Sequence, residues 1–468
     1  MAGTTARAGV LISATAIVEH DTQWLTSNGY PEATNGVSVL KLTYRTSAVD
    51  GSQTIATAAF VDPITSCATP LVCYIHGTIF LKDQVPSSWQ DGTGSCKEGY
   101  SFGGTGMACV LPDLLGLGGS PGLHPYLHAA SEATACIDAV RAAREYRTDQ
   151  ARPLHEQLFI MGASAGSHAC LATAQAMQTQ YPEEFHVSAA GGISGPYAPY
   201  PVLKDQILST ATFGAGASVL YVLFSYDSAY PGLFSSTNDF LVEPFATEIP
   251  PLYDGQHDGD VINPLLPPVI GAVIPQTLRN SIANNPNAPL NLALKENNVF
   301  NWKPLFPVKL CYCGNDEIVS PINTTIAKNA FDANGSDQVS TVEVSGSASH
   351  TDCGDLARPV IVDWFRSLKV ACDGTYPLPV TGKAAFTIAP DPVTDGTTTL
   401  DLGSLPDSGK GVHIIITNSA GTIVFTGASG PNDPSLFTVY TSTWAAGTYL
   451  VTVQLSGAAY YGKFVVLK

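Results

Sequence analysis

The sequence predicts a doubly wound α/β fold, a mostly parallel sheet with helices on both faces, carrying an inserted cap and followed by a small all-β sandwich. Three observations predict it. Short, mostly apolar runs of the kind buried in parallel sheets alternate with helix-length segments through the first three-quarters of the chain. The alternation breaks once, between about residues 197 and 302, where proline, asparagine and aromatic residues crowd together. From residue 373 onward cysteine disappears, and threonine, glycine and valine dominate.

Residues 37–46 (VSVLKLTYRT) and 54–61 (TIATAAFV) flank Asp50-Gly51 and read as a hairpin. Apolar runs follow at 70–75 (PLVCYI), 107–111 (MACVL), 157–161 (QLFIM), 187–193, 308–312 (VKLCY) and 338–344. Residues 129–147 have apolar spacings of three and four, and their late arginines suit a helix C-terminus. A helix over 355–369 closes the series. The irregular stretch 197–302 reads as a cap over the sheet's C-terminal edge, where α/β ligands bind. In the tail, strands are expected at 385–388, 397–402, 411–417, 422–425, 447–455 and 460–466. With the boundary at Cys372-Asp373-Gly374, the chain divides into domains of residues 1–372 and 373–468.

Composition excludes several classes of function. With 45% hydrophobic and 13% charged residues the chain is globular, and a net charge of −17 repels phosphate backbones, so no nucleic-acid partner is expected. No apolar run reaches the roughly 18 residues of a membrane-spanning helix, so no integral membrane segment is expected. The opening MAGTTARAGVLISATAIVEH lacks a basic-then-apolar leader; either the chain is cytosolic or a leader has been removed. Ten cysteines include no C-x-x-C pair, which argues against a zinc site and agrees with some disulfides in an oxidising compartment. The acidic loop from Asp254 to Asp260 is a candidate Ca²⁺ site, but its spacing does not match an EF-hand loop, and it reads as solvated.

The chemistry starts at Gly162-Ala163-Ser164-Ala165-Gly166. This G-x-S-x-G follows an apolar strand and precedes a helix-compatible stretch, the context in which a serine hydroxyl is lifted above a sheet. The Ala165 amide, at the start of that helix, can face a developing oxyanion. A serine nucleophile needs a base, and the base an orienting acid, in the chain order Ser, acid, His. Among the downstream histidines, His168 sits one turn along the same helix and suits packing. His186 opens a strand at the wrong end, His257 lies in the acidic loop, and His413 lies in the tail. His350 follows a strand and a small-residue loop, where an imidazole can reach Ser164. Asp316 ends the preceding strand and is the expected acid, ahead of Glu317 and Asp352. Gly77 lets the chain turn so that the Thr78 amide supplies the second oxyanion donor, with His76 a structural hydrogen-bonder. Cys313 and Cys353 flank acid and base and could staple the two loops together.

Taken with Leu111-Pro112-Asp113-Leu114-Leu115-Gly116-Leu117-Gly118, these segments resemble secreted α/β-hydrolases of the esterase and secretory-lipase type over roughly residues 8–370. The resemblance implies an α/β-hydrolase fold with Ser164 as nucleophile, Asp316 as acid, His350 as base, and Thr78 and Ala165 as oxyanion donors. It implies no metal and no organic cofactor. Ala163 departs from the bulky residue many relatives carry there, so the acyl slot is expected to differ in shape. The run at 116–128 (GLGGSPGLHPYLH) also resembles the family. The tail, through Phe386–Pro392, Gly447–Val451 and Gly462–Lys468, resembles a type IX secretion sorting domain. That implies a secreted or cell-surface protein of a Bacteroidota-type bacterium, with the secretion machinery as partner. The expected function is a secreted, monomeric serine carboxylic ester hydrolase acting on a small-molecule, lipid or polymer ester. The alternatives are a serine peptidase of the same fold and a non-catalytic surface binding or adhesion protein.

Overall fold

Among the described residues of the computed structural model (9–92, 96–370, 386–402, 412–418, 423–429, 436–455 and 458–468), nine strands form one large sheet. They are β1 (Leu11–His20), β2 (Gly36–Ser47), β3 (Gln53–Ile64), β4 (Leu71–Ile75), β5 (Ala108–Pro112), β6 (Leu158–Ala163), β7 (Val187–Ile193), β8 (Val308–Cys313) and β9 (Val339–Ser345). Their order is β1-β2-β3-β5-β4-β6-β7-β8-β9. From β5 through β9 the strands are parallel, whereas β1 pairs antiparallel with β2 and β3 antiparallel with β5.

Strands β4, β5 and β6 are apolar at every position because both faces are covered. Along β6, Leu158 and Ile160 enter one core with the helices Ala129–Asp149 and Ala165–Gln180. Phe159 and Met161, pointing the other way, enter a second core with Ala357, Ile361 and Phe365 of the helix His350–Leu368. Each such fully buried side chain contributes about 1.5–3 kcal/mol relative to exposure. The hairpin between β2 and β3 turns at Gly51 (φ +81°), with the Asp50 carboxylate accepting from the Ser52 amide at 2.9 Å.

Among the differences from expectation, the tail has a strand at Leu436–Tyr440 where none was expected, and two concern the sheet and the site. β1 is an edge strand without a clear sequence signal, because its positions are largely exposed and its polarity does not alternate cleanly. The last helix starts at His350, not near 355, since Ser349 caps it by accepting from the Asp352 amide and the Glu317 carboxylate accepts from the His350 amide at 3.0 Å.

Between β7 and β8 the chain builds short helices, the longest being Gly216–Ala229, around a core of its own that includes Val219, Leu220, Phe240 and Ile270. Tyr126, Leu127 and Ala165 join that core, so it packs on the sheet edge carrying the C-terminal end of β6.

By contact the chain falls into two units, Met1–Pro63 with Ala68–Asp373, and Ile64–Cys67 with Gly374–Lys468. The expected boundary at Cys372–Gly374 lies outside the described residues. In the second unit, strands Thr387–Ala389, Thr397–Asp401 and Leu436–Tyr440 make one antiparallel sheet. Ile423–Ser429, Val412–Asn418, Gly447–Leu455 and Ala458–Val466 make another. Leu400, Ile414, Val451 and Phe464 form the core of this unit.

Candidate active site

Ser164 stands on the turn between β6 and the helix Ala165–Gln180, with φ 53° and ψ −125°. A non-glycine residue held there costs about 1–3 kcal/mol and persists only where its surroundings enforce it. Here they do. A Cβ on Gly162 would sit 1.9 Å from the Gly166 carbonyl oxygen, and one on Gly166 would sit 2.1 Å from that of Ile75. Both glycines are therefore required for strand and helix to meet so closely. The Ser164 amide donates to the Ile193 carbonyl at 2.7 Å, and the Ser167 hydroxyl accepts from the Ile193 amide at 2.7 Å, which ties the turn to β7.

The parallel pairing of β6, β7, β8 and β9 brings their C-terminal ends to one edge. Asp316 follows β8, and His350 follows β9. The structure joins them in one chain: Ser164 Oγ lies 2.9 Å from His350 Nε2, and His350 Nδ1 lies 2.8 Å from Asp316 Oδ2. Asp316 Oδ1 also accepts from the amides of Ile318 at 3.1 Å and Val319 at 2.8 Å. Burial opposes the charge on Asp316, but the hydrogen bond and charge of His350, the Val319 amide and the Ser194 hydroxyl together hold its carboxyl below the usual range. A disulfide joins Cys313, at the end of β8, to Cys353, one turn into the helix that His350 begins, with Cα atoms 5.8 Å apart.

Gly77 lies against the serine, since a Cβ there would be 3.4 Å from Ser164 Cβ. Thr78 and Ser164 line one cavity of about 100 Å³, with Tyr126, Val202, Val219 and Ile318 among its walls. Ala165 opens the helix, so its amide has no intrahelical partner. Of the five residues expected at the site, Ser164, His350 and Asp316 are joined by hydrogen bonds, Thr78 shares the serine's cavity, and Ala165 follows the serine at the helix start. The turn gives a hydroxyl within hydrogen-bond reach of an imidazole nitrogen, at the start of a helix whose first amides lack intrahelical partners, an arrangement suited to acyl transfer.

His168, His76 and His257 are engaged elsewhere. His168 is buried between the Glu132 carboxylate and the Asn297 carbonyl, each at 2.7 Å, and His76 lies between the carbonyls of Gly77 at 2.7 Å and Asp113 at 3.1 Å. His257 Nδ1 contacts Asp254 Oδ1 at 2.9 Å. Among the described residues no group of three or more His, Cys, Asp or Glu side chains is placed to hold a metal, and no helix is long and apolar enough to cross a membrane. Sequence reasoning missed Tyr126, whose hydroxyl is 2.6 Å from Thr78 Oγ1. It also missed the Ile318 and Val319 amides on Asp316. Tyr126 belongs to the 116–128 run, and that was its only signal.

No protein-family model matches the sequence, and no curated protein shows significant similarity to it. Solved structures do. The rice cell wall degrading esterase LipA from Xanthomonas oryzae is 28% identical, with a TM-score of 0.69 over 77% of this chain and 97% of that one. Its ligand-bound form gives 26% identity and a TM-score of 0.68 over the same shares. Candida antarctica lipase A in its closed state, at 17% identity, shares the fold with a TM-score of 0.59 over 79% of this chain and 86% of that one. The chain has the α/β-hydrolase fold of these esterases and lipases, and its similarities are to hydrolases of the ester-cleaving kind.

Proposed function

We propose that this protein is a secreted serine carboxylic ester hydrolase whose nucleophile is Ser164. The observation that carries the reading is the unbroken hydrogen-bonded chain from Ser164 through His350 to Asp316, opening into an apolar-walled cavity. His350 Nε2 takes the hydroxyl proton as Ser164 Oγ attacks the ester carbonyl carbon. The Thr78 and Ala165 amides hold the oxyanion. Collapse of the tetrahedral adduct breaks the acyl–oxygen bond, and His350 returns the proton to the departing alcohol. Water, deprotonated by the same imidazole, then attacks the acyl carbon, and collapse of this second adduct breaks the acyl–Oγ bond as His350 returns the proton to Ser164. Asp316 stays ionised throughout and stabilises the imidazolium. Valine and isoleucine walls favour an acyl or aryl group over a charged one. The similarity to a cell wall degrading esterase argues for including polymer-borne esters among the substrates tested.

Turnover of p-nitrophenyl esters of graded acyl length, beside peptide p-nitroanilides, tests this reading. Ester cleavage lost in Ser164→Ala is the expected result. Cleavage of peptides alone would make the protein a peptidase, and binding of glycans without turnover would make it a surface adhesin. On the same reading the C-terminal β-sandwich is an export domain, supported by its sequence resemblance to sorting domains; intact-mass analysis of the exported enzyme reports whether it is retained.

A further inference from the structure

Ser194, the residue after β7, holds a backbone conformation that suits glycine. Its φ is 48°, in the left-handed region, and it is 4% exposed. The nucleophile Ser164 shares this feature. A side-chain-bearing residue persists in such a conformation only where its surroundings enforce it, and cases of this kind cluster at functional sites. Here the surroundings are the ends of the two neighbouring strands. The Ser194 amide donates to the Cys311 carbonyl of β8 at 2.9 Å, and the preceding carbonyl, of Ile193, accepts from the Ser164 amide at 2.7 Å. The turn after β7 is thereby tied to the nucleophile on one side and to the strand leading to the acid on the other.

The backbone alone favours glycine at this position, which directs attention to the hydroxyl. Ser194 Oγ lies 3.4 Å from Cys353 Sγ and hydrogen-bonds the Asp316 carboxylate. A disulfide sulfur accepts weakly and a carboxylate strongly, so the hydroxyl hydrogen goes to Asp316. Asp316 Oδ1 already accepts from the Ile318 and Val319 amides, which leaves most room at Oδ2, 2.8 Å from His350 Nδ1. Asp316 is 7% exposed, so water cannot readily replace a donor that is removed. Donors from the loop after β8 and from the end of β7 together fix the carboxylate, and with it the imidazole it faces.

We propose that Ser194 is a positioning residue of the Ser164–His350–Asp316 chain: its hydroxyl donates to Asp316 and holds that carboxylate against His350 Nδ1. The kinetic consequence rests on the ester-hydrolase reading; the contact itself does not. Without the hydroxyl the carboxylate charge is less dispersed, attracts the imidazolium more strongly, and lets His350 keep a proton to higher pH. Two further charges stand at that end of the helix. The Glu317 carboxylate accepts from the His350 amide, and the Asp352 carboxylate meets the Ser349 hydroxyl at 2.7 Å; substitution of Ser194 leaves both in place.

Two variants separate the hydroxyl from the backbone. Ser194→Ala loses the hydroxyl and keeps the strained φ, whereas Ser194→Gly loses the hydroxyl and relieves the strain. Ser194→Gly should melt above Ser194→Ala. Ester kcat should nevertheless fall about tenfold in both, with KM within about twofold. In both full-length variants the His350 imidazole signal, followed by NMR and assigned by its absence in His350→Asn, should titrate roughly half a pH unit higher than in the wild type. The acid limb of the kcat/KM profile should move with it. Adding Ser194→Gly to Asp316→Asn should change kcat by less than about twofold, because the hydroxyl acts through that carboxylate. A merely structural role predicts activity that follows melting temperature. Ser194→Gly turning over like the wild type, an unmoved His350 titration, or a full tenfold loss on the Asp316→Asn background would each overturn the proposal. A wild type without ester turnover fails the ester-hydrolase reading instead, and the His350 titration still decides whether the hydroxyl acts on the chain.

Discussion

Ser164 and Asp316 are held in different ways, and each predicts a different mutant. The serine backbone is forced to φ 53° by close packing on either side, so replacing the side chain by a methyl group leaves the turn intact. Ser164→Ala should fold and melt like the wild type, while ester turnover falls by about a million-fold. Asp316 is fixed by two backbone amides as well as by His350. Asp316→Asn therefore keeps its place but offers the imidazole an amide, which favours the wrong tautomer. It should lower kcat by about 10,000-fold with KM within a few-fold. Since its carboxyl is held below the usual carboxylate range, Asp316 stays charged as pH falls to about 4, and the kcat/KM profile should show no inflection from it above that pH.

Among elements, the turn after β6 and the helix beginning at His350 carry the site. Gly162→Ala drives a methyl carbon to 1.9 Å from a backbone oxygen and should destabilise the protein by more than about 4 kcal/mol, measured by urea unfolding. Gly354 is the opposite case: nothing lies within 4 Å of a Cβ there and the residue is helical, so Gly354→Ala should stabilise by about 0.5–1 kcal/mol. The Cys313–Cys353 bond closes a separation of 40 residues between the strand before the acid and the helix that the base begins. Replacing both cysteines by alanine should cost about 3–4 kcal/mol.

Much of this was legible because it is local. The G-x-S-x-G turn between an apolar run and a helix, and the C-terminal positions of Asp316 and His350 after strands, follow from residue order alone. The start of the last helix was not legible, since Gly354 and Pro359 weaken its pattern while the caps from Ser349 and Glu317 act through geometry. Tyr126 was not legible either. Its bond to Thr78 spans 48 residues and depends on the cap ring that stacks against it.

At the scale of the molecule, burial of titratable groups sets the pH dependence of stability. His124 is pushed down to about 4, so the unfolded chain binds its proton first as pH falls below about 6.5, and stability is lost between about 6.5 and 4. Asp113, buried beneath the 116–121 loop and hydrogen-bonded to Thr57 and to the Ser87 amide, is raised to about 6. Its folded form takes up a proton before its unfolded form, so it adds stability as pH falls from about 6 to about 3.8 and partly offsets His124. Asp113→Asn removes that offset. Urea midpoints from pH 7 down to 4 should then fall more steeply than in the wild type, by up to about 3 kcal/mol.

The central claim is that Ser164 is the residue acylated by an ester. Mass mapping of the wild-type protein after reaction with an organophosphate p-nitrophenyl ester tests it most directly. One equivalent of p-nitrophenolate released and one adduct on the peptide carrying Ser164 are expected, and neither in Ser164→Ala. An adduct on another residue, or undiminished p-nitrophenyl ester turnover in Ser164→Ala, would contradict it.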